Sequence, residues 1–167
     1  SLCGSKLPDA QAAYETTHTL NAALLGGVNF MLHACGWLEG GLVSSFEKFV
    51  LDADQLGILH HLARGVSITE NDQALDAIHE VGPGGHYLGC AHTQANFKEA
   101  FWRTEVLDYK PFETWEEEGA KDSMNLAALR VEQMLANYQK PTLSPDISET
   151  LDAYIANKKS SMPDSFL

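Results

Sequence analysis

At 167 residues, 44% of them hydrophobic, the chain has enough apolar material for the core of one domain or of part of one. Asp and Glu total 23 against 11 Lys and Arg, a formal net charge of −12, which repels phosphate backbones and anionic lipid and so excludes nucleic acid and membrane surfaces as partners. Cys3, Cys35 and Cys90 are odd in number and form no Cys-x-x-Cys pair, no apolar run is long enough to cross a bilayer, and the amino end lacks the basic and apolar regions of a signal peptide. These features together predict a cytoplasmic protein without a disulfide framework, whose first residues read as if cut from something longer.

Ser1 to Pro8 reads as a polar loop, and Asp9 as the N-cap of a helix from Ala10 to about Leu25, with Ala13, Leu20, Ala23 and Leu24 near helical spacing and Gly26-Gly27 as its stop. Val28 to Leu32 then has the length and punctuation of a buried strand. Past it, His33, Cys35, Trp37 and Glu39 fall at alternate positions among glycines, where a strand would emerge from its sheet. In α/β folds ligands sit at that end of a strand, so Asn29 to Gly41 is the first candidate site. His33 also reads as a core histidine with a satisfied hydrogen bond, and Cys35 either as a nucleophile with His33 as base or as a small buried side chain.

Ser44 and Glu47 have capping-box spacing for a helix whose apolar face is Phe46, Phe49, Val50, Ala53, Leu56 and Gly57, running to about Ala63 and closed by Gly65. Val66 to Ile68 reads as a short strand or a connection. Thr69 and Asp72 open a helix through Ala74, Leu75 and Ile78 that Gly82-Pro83-Gly84-Gly85 ends, and His86 to Gly89 is the second strand end. Thr93 is placed to cap a helix from Gln94 to about Trp102, and the chain is irregular around Pro111. Thr114 and Glu117 would cap the longest helix, Trp115 to about Asn137, with Ala120, Ala127, Val131, Met134, Leu135 and Tyr138 inside. Ser144-Pro145 starts a last helix through Leu151 and Ile155, and the tail after Lys159 reads as disordered.

Short strands bracketed by helices follow the order of (β/α) units. A complete (β/α)8 barrel takes about 250 residues, so the chain supplies about three of the eight units. The expectation is an α/β, helix-rich, carboxyl-terminal fragment of a TIM barrel, with residues 1–140 as the partial barrel and 141–167 as a trailing helix and tail. His33, Cys35, His86, Cys90 and His92 match no standard zinc spacing, so no metal site is assigned. The glycines of Val81 to Gly89 read as a turn, since they do not follow the order of a nucleotide loop.

Several separated motifs resemble one family in the right order. Lys6 to Glu15 (Lys-Leu-Pro-Asp-Ala-Gln-Ala-Ala-Tyr-Glu), Leu38-Glu39-Gly40-Gly41-Leu42, Glu80 to Leu88 with His92-Thr93, and Trp115 to Asp122 are similar to the carboxyl-terminal part of the trimethylamine methyltransferase family. The resemblance implies a TIM-barrel enzyme that moves a methyl group from a methylated amine to the cobalt of a corrinoid on a separate small protein, with no corrinoid held by this chain. The fragment alone is then expected to be inactive. Some members carry pyrrolysine near the segment that here reads Ser5-Lys6-Leu7-Pro8; its absence favours a quaternary amine such as a betaine. On this reading His33, Glu39 and His86 are catalytic residues, and Gln11, Tyr14, Trp37 and His92 bind the small methylated amine. Two other readings stay open: a non-catalytic binding module, or a half-barrel scaffold that forms a homo-oligomer by pairing its open sheet edges.

Overall fold

The computed structural model describes residues 2–162. Eight helices and one small sheet follow in order: α1 (Ala10–Leu25), β1 (Trp37–Leu38), a 3-10 turn (Glu39–Gly41), β2 (Val43–Ser44), α2 (Phe46–Ala63), α3 (Glu70–Gln73), α4 (Leu75–Val81), α5 (Ala91–Asn96), α6 (Phe112–Glu117), α7 (Ser123–Ala136) and α8 (Pro145–Ser161). The backbone divides into two units, Ser1–Met134 and Leu135–Leu167. No helix among the described residues is long and apolar enough to cross a membrane.

The helix-rich character is as expected, but the strands are not. Val28 to Leu32 is irregular, with Val28, Phe30 and Leu32 exposed at 50%, 78% and 69%. A short apolar run becomes a strand only when a neighbouring strand pairs its backbone, and among the described residues it has no such neighbour. His86 to Gly89 is likewise a series of turns. Gly82 and Gly84 take positive φ (63° and 79°), and Gly85 folds so tightly onto the end of α4 that a Cβ there would lie 2.5 Å from the Val81 carbonyl oxygen. The one sheet is antiparallel, pairing Trp37 with Ser44 and Leu38 with Val43, so no parallel strand of a (β/α) unit is seen among the described residues.

Helix boundaries also shift for local reasons. Asp9 caps α1 as expected, accepting from the Ala12 amide at 3.1 Å. The cap of α2 is Ser45 rather than Ser44, because Ser44 is spent on the β2 pairing. Thr69 and Asp72 form their capping box, whereas α5 begins after Cys90, three residues before the expected Thr93 cap. The long helix expected over 115–137 is two. Gly119 (φ 98°) and Ala120 (φ 49°) end α6 with an Ala120 N–H to Trp115 carbonyl bond of 2.8 Å, and Asp122 then caps α7 by accepting from the Asn125 amide at 2.8 Å. α8 continues as helix to Ser161, beyond the expected end of order at Lys159; residues 163–167 lie outside those described.

In the first unit, α1 packs on α2. One apolar cluster joins Cys3, Ala12 and Leu38, and a second joins Val50, Val106 and Ala127 with Leu51, Leu126 and Val131 against it. Many large apolar side chains stay in contact with water, including Leu25, Phe30, Leu42, Val66 and Ile68.

Candidate functional site

The stretch from His33 to Gly41 is a succession of turns built on left-handed residues: His33 (φ 54°), Gly36 (85°), Glu39 (50°), Gly40 (64°) and Gly41 (94°). Two of these are not glycine, and a non-glycine residue is held there only when its surroundings outweigh a cost of about 1 to 2 kcal/mol. The surroundings are visible. The amides of Glu39 and Gly40 donate to the carbonyls of Ser5 and Cys3 (both 2.8 Å), and the Cys3 thiol donates to the Trp37 carbonyl at 3.2 Å. Residues 3–5 therefore clamp the turn from one side.

On this scaffold His33 meets Trp37 edge to face, with ring centroids 5.6 Å apart and planes at 81°. His33 is exposed and Trp37 half-buried, so the core-histidine reading is set aside. Cys35 is half-buried; burial first, and then the Asp52 carboxylate, push its thiol above the ordinary range, which disfavours the thiolate a nucleophile requires.

Beneath the turn lies a group of buried polar side chains that the sequence reading did not pick out. Lys48 (2% exposed) and Asp52 (3%), one helical turn apart on α2, form an ion pair with Nζ 2.5 Å from both carboxylate oxygens. Lys48 Nζ also donates to Thr16 Oγ1 of α1 at 2.9 Å, and Asp52 Oδ2 accepts the Gly36 amide at 2.9 Å. The expected apolar face of α2 holds in part: Val50 is buried and Leu56 and Gly57 are half-buried, but Phe46 and Phe49 are exposed at 68% and 49%, and Lys48, Asp52 and Leu59 take inward positions instead. The i, i+4 spacing of opposite charges was the available signal, and it also describes any solvated helix pair. Beside this cluster, between α1 and α2, is a cleft of about 420 Å³ lined by Ala12, Thr16, Leu51, Asp52, Val106 and Met124 among others.

The remaining expected site residues are placed separately. Tyr14 is 75% exposed on α1, and Gln11 donates to Glu15 Oε1 at 2.7 Å. Glu15 also accepts the Gly4 amide; the Gln11 bond first and the Gly4 bond second hold its carboxyl below the usual range. Glu39 is exposed at the start of the 3-10 turn, and His86 is exposed in the turn after α4. His92, on α5, bonds the Asn71 carbonyl through Nε2 at 2.6 Å and borders a polar cleft of about 560 Å³ along α3 and α4. Of the seven residues, the structure joins His33 with Trp37 by direct ring contact, and Glu39 with them along the same turn. No group of three or more His, Cys, Asp or Glu side chains able to hold a metal ion is found among the described residues.

Comparison with known proteins adds the following. The family model described as trimethylamine methyltransferase (MTTB) matches residues 1–163. A glycine betaine methyltransferase of Desulfitobacterium hafniense (strain Y51) is 42% identical over 154 residues, 92% of this chain and 32% of that protein. A proline betaine:corrinoid methyltransferase of Eubacterium limosum is 32% identical over 89% of this chain and 31% of its own length. The trimethylamine methyltransferase MttB of Methanosarcina barkeri (strain Fusaro / DSM 804) is 30% identical over 93% of this chain and 31% of its own length. The chain thus spans about a third of the curated relatives it matches.

Proposed function

Since the chain belongs to the trimethylamine methyltransferase family, we propose that it forms the carboxyl-terminal part of a cytoplasmic enzyme that transfers a methyl group from a quaternary amine, such as a betaine, to a corrinoid carried by a second protein. The remaining two thirds supply the other units of a TIM barrel, whose strands would pair with and cover the exposed run at Val28, Phe30 and Leu32. The open surface supports this reading, as does 42% identity to a glycine betaine methyltransferase against 30% to a trimethylamine methyltransferase.

The observation that carries the site is the His33–Trp37 ring pair, its histidine exposed, on a turn that glycines and the residue 3–5 clamp hold in place. The corrinoid supplies the nucleophile, its reduced cobalt. When a quaternary ammonium loses a methyl group, the N–C bond breaks and the electron pair stays on nitrogen, so a neutral tertiary amine leaves and no proton is required. The chain's work is therefore orientation and charge complementarity rather than acid–base transfer. Trp37 and Tyr14 present ring faces to the cation, worth about 1 to 2 kcal/mol once water is excluded, and Glu39 adds a carboxylate. His33 hydrogen-bonds a substrate carboxylate. The position of the pair at an open face suits a methyl acceptor that must dock and leave.

The test is methyl transfer by the full-length protein with its corrinoid partner, offered glycine betaine, proline betaine and trimethylamine. Turnover of a betaine, reduced at least tenfold by His33→Ala, is expected; turnover of trimethylamine alone, or a His33→Ala variant as active as the parent, would overturn the assignment.

A further inference from the structure

The Lys48–Asp52 pair has no part in the reaction proposed above, yet both members are buried, at 2% and 3% exposed. Lys48 and Thr16 are among the largest fully buried side chains of the chain. A buried ion pair is weak evidence for stability, because apolar residues of similar volume usually replace it without loss. What it does here is specific: one carboxylate oxygen, Oδ2, reaches across 16 residues to accept the Gly36 amide at 2.9 Å.

Gly36 is the hinge of the candidate site. Its φ is +85°, and a Cβ there would lie 3.2 Å from Cβ of Phe49, so the turn sits tightly against α2. The same residue is held on its other side, where the Gly36 carbonyl accepts the Ser45 amide at 3.1 Å. Trp37 follows directly, paired through β1 with Ser44 and edge-on to His33. The carboxylate at position 52 is thus a side-chain acceptor for the backbone of this turn, and Lys48 supplies the charge that allows a carboxylate to remain buried there.

We infer that Lys48 and Asp52 are positioning residues: they set the Gly36 turn from below and thereby fix the Trp37–His33 ring pair in the orientation that receives the substrate cation. The functional half of this inference rests on the methyl-transfer reading, whereas the structural half does not.

Two double variants separate positioning from plain core filling. Lys48→Met/Asp52→Asn removes both charges but keeps an amide oxygen for Gly36; Lys48→Met/Asp52→Leu removes the acceptor as well. In the full-length protein labelled with nitrogen-15, the Gly36 amide and Trp37 indole N–H resonances should stay near their parent positions in the Asn variant and shift together in the Leu variant. In the full-length enzyme the Leu variant should raise the KM for a betaine about tenfold with kcat changed less than twofold, and the Asn variant should restore KM to within about twofold. Identical spectra for the two variants, or a Trp37 resonance unmoved by the Leu variant, would overturn the inference. Should the Leu variant not fold, hydrogen exchange at Gly36 in the parent decides: protection equal to that of the α2 core amides is expected, and rapid exchange refutes the bond. An absence of methyl transfer by the parent would sink the proposed function and leave the spectral result standing.

Discussion

Replacing Lys48 by Met puts the energetics of the buried pair to a direct test. The substitution nearly conserves volume, so it isolates the loss of charge from the loss of packing. It leaves the Asp52 carboxylate, 3% exposed, with the Gly36 amide and without its ammonium partner at 2.5 Å. Stranding one member of a buried pair costs about 3 to 5 kcal/mol, whereas removing both members together costs about 1 or less. Lys48→Met should therefore lower the unfolding free energy by about 3 to 5 kcal/mol, and Lys48→Met/Asp52→Asn by about 1 kcal/mol or less. Urea titration followed by far-ultraviolet circular dichroism measures all three proteins. A Lys48→Met variant within about 1 kcal/mol of the parent, or a double variant no more stable than the single, would show that the pair is neither as enclosed nor as tightly coupled as described.

Three further outcomes follow from local geometry. Gly57 lies inside α2, where Ala would gain about 1 kcal/mol of helix preference, but its Cβ would fall 2.7 Å from the Trp102 ring; Gly57→Ala should destabilise the parent and stabilise a Trp102→Leu background, by urea unfolding of the four-protein cycle. Asp9→Ala removes the acceptor for the Ala12 amide and should cost about 1 kcal/mol, checked by thermal unfolding. Asp72 accepts from Ser67 Oγ (2.6 Å), from the Thr69 amide (2.9 Å) and from Thr69 Oγ1 (2.5 Å); the Ser67 bond first and the Thr69 bonds next hold its carboxyl below the usual 3.8. A depressed folded-state value means the stabilisation is present above about pH 4 and is lost as pH falls through the lowered value. Protection of the α3 amides should fade in that acid window, and Asp72→Asn should abolish the pH dependence.

Local capping chemistry was legible because it is written within four residues: Asp9, the Thr69–Asp72 box and the Gly26-Gly27 stop all stand where the sequence put them. Gly119 and Asp122 carried the signals for a helix end and a helix start, and the apolar periodicity running through them obscured both. The candidate strands failed for another reason. Val28 to Leu32 has strand composition, but a strand needs a partner, and none pairs with it among the described residues. In the site, the adjacency of His33 and Trp37 came from a turn whose glycines were visible from the start. Lys48 and Asp52 stayed hidden because one sequence pattern serves both an exposed i, i+4 pair and a buried one; only the arrival of Thr16 and Gly36 from distant positions tells them apart.

The surface that the chain leaves wet has a calorimetric signature. A fully closed protein of 167 residues unfolds with a heat-capacity increment of about 2.0 to 2.5 kcal/mol/K, because melting floods a dry interior. Here side chains such as Phe30, Leu42 and Val66 are hydrated before the transition begins, so the increment should fall well short of that figure and the stability curve should be unusually flat with temperature. The same hydration leaves little new surface for urea to find, which makes a shallow denaturation slope the companion observation.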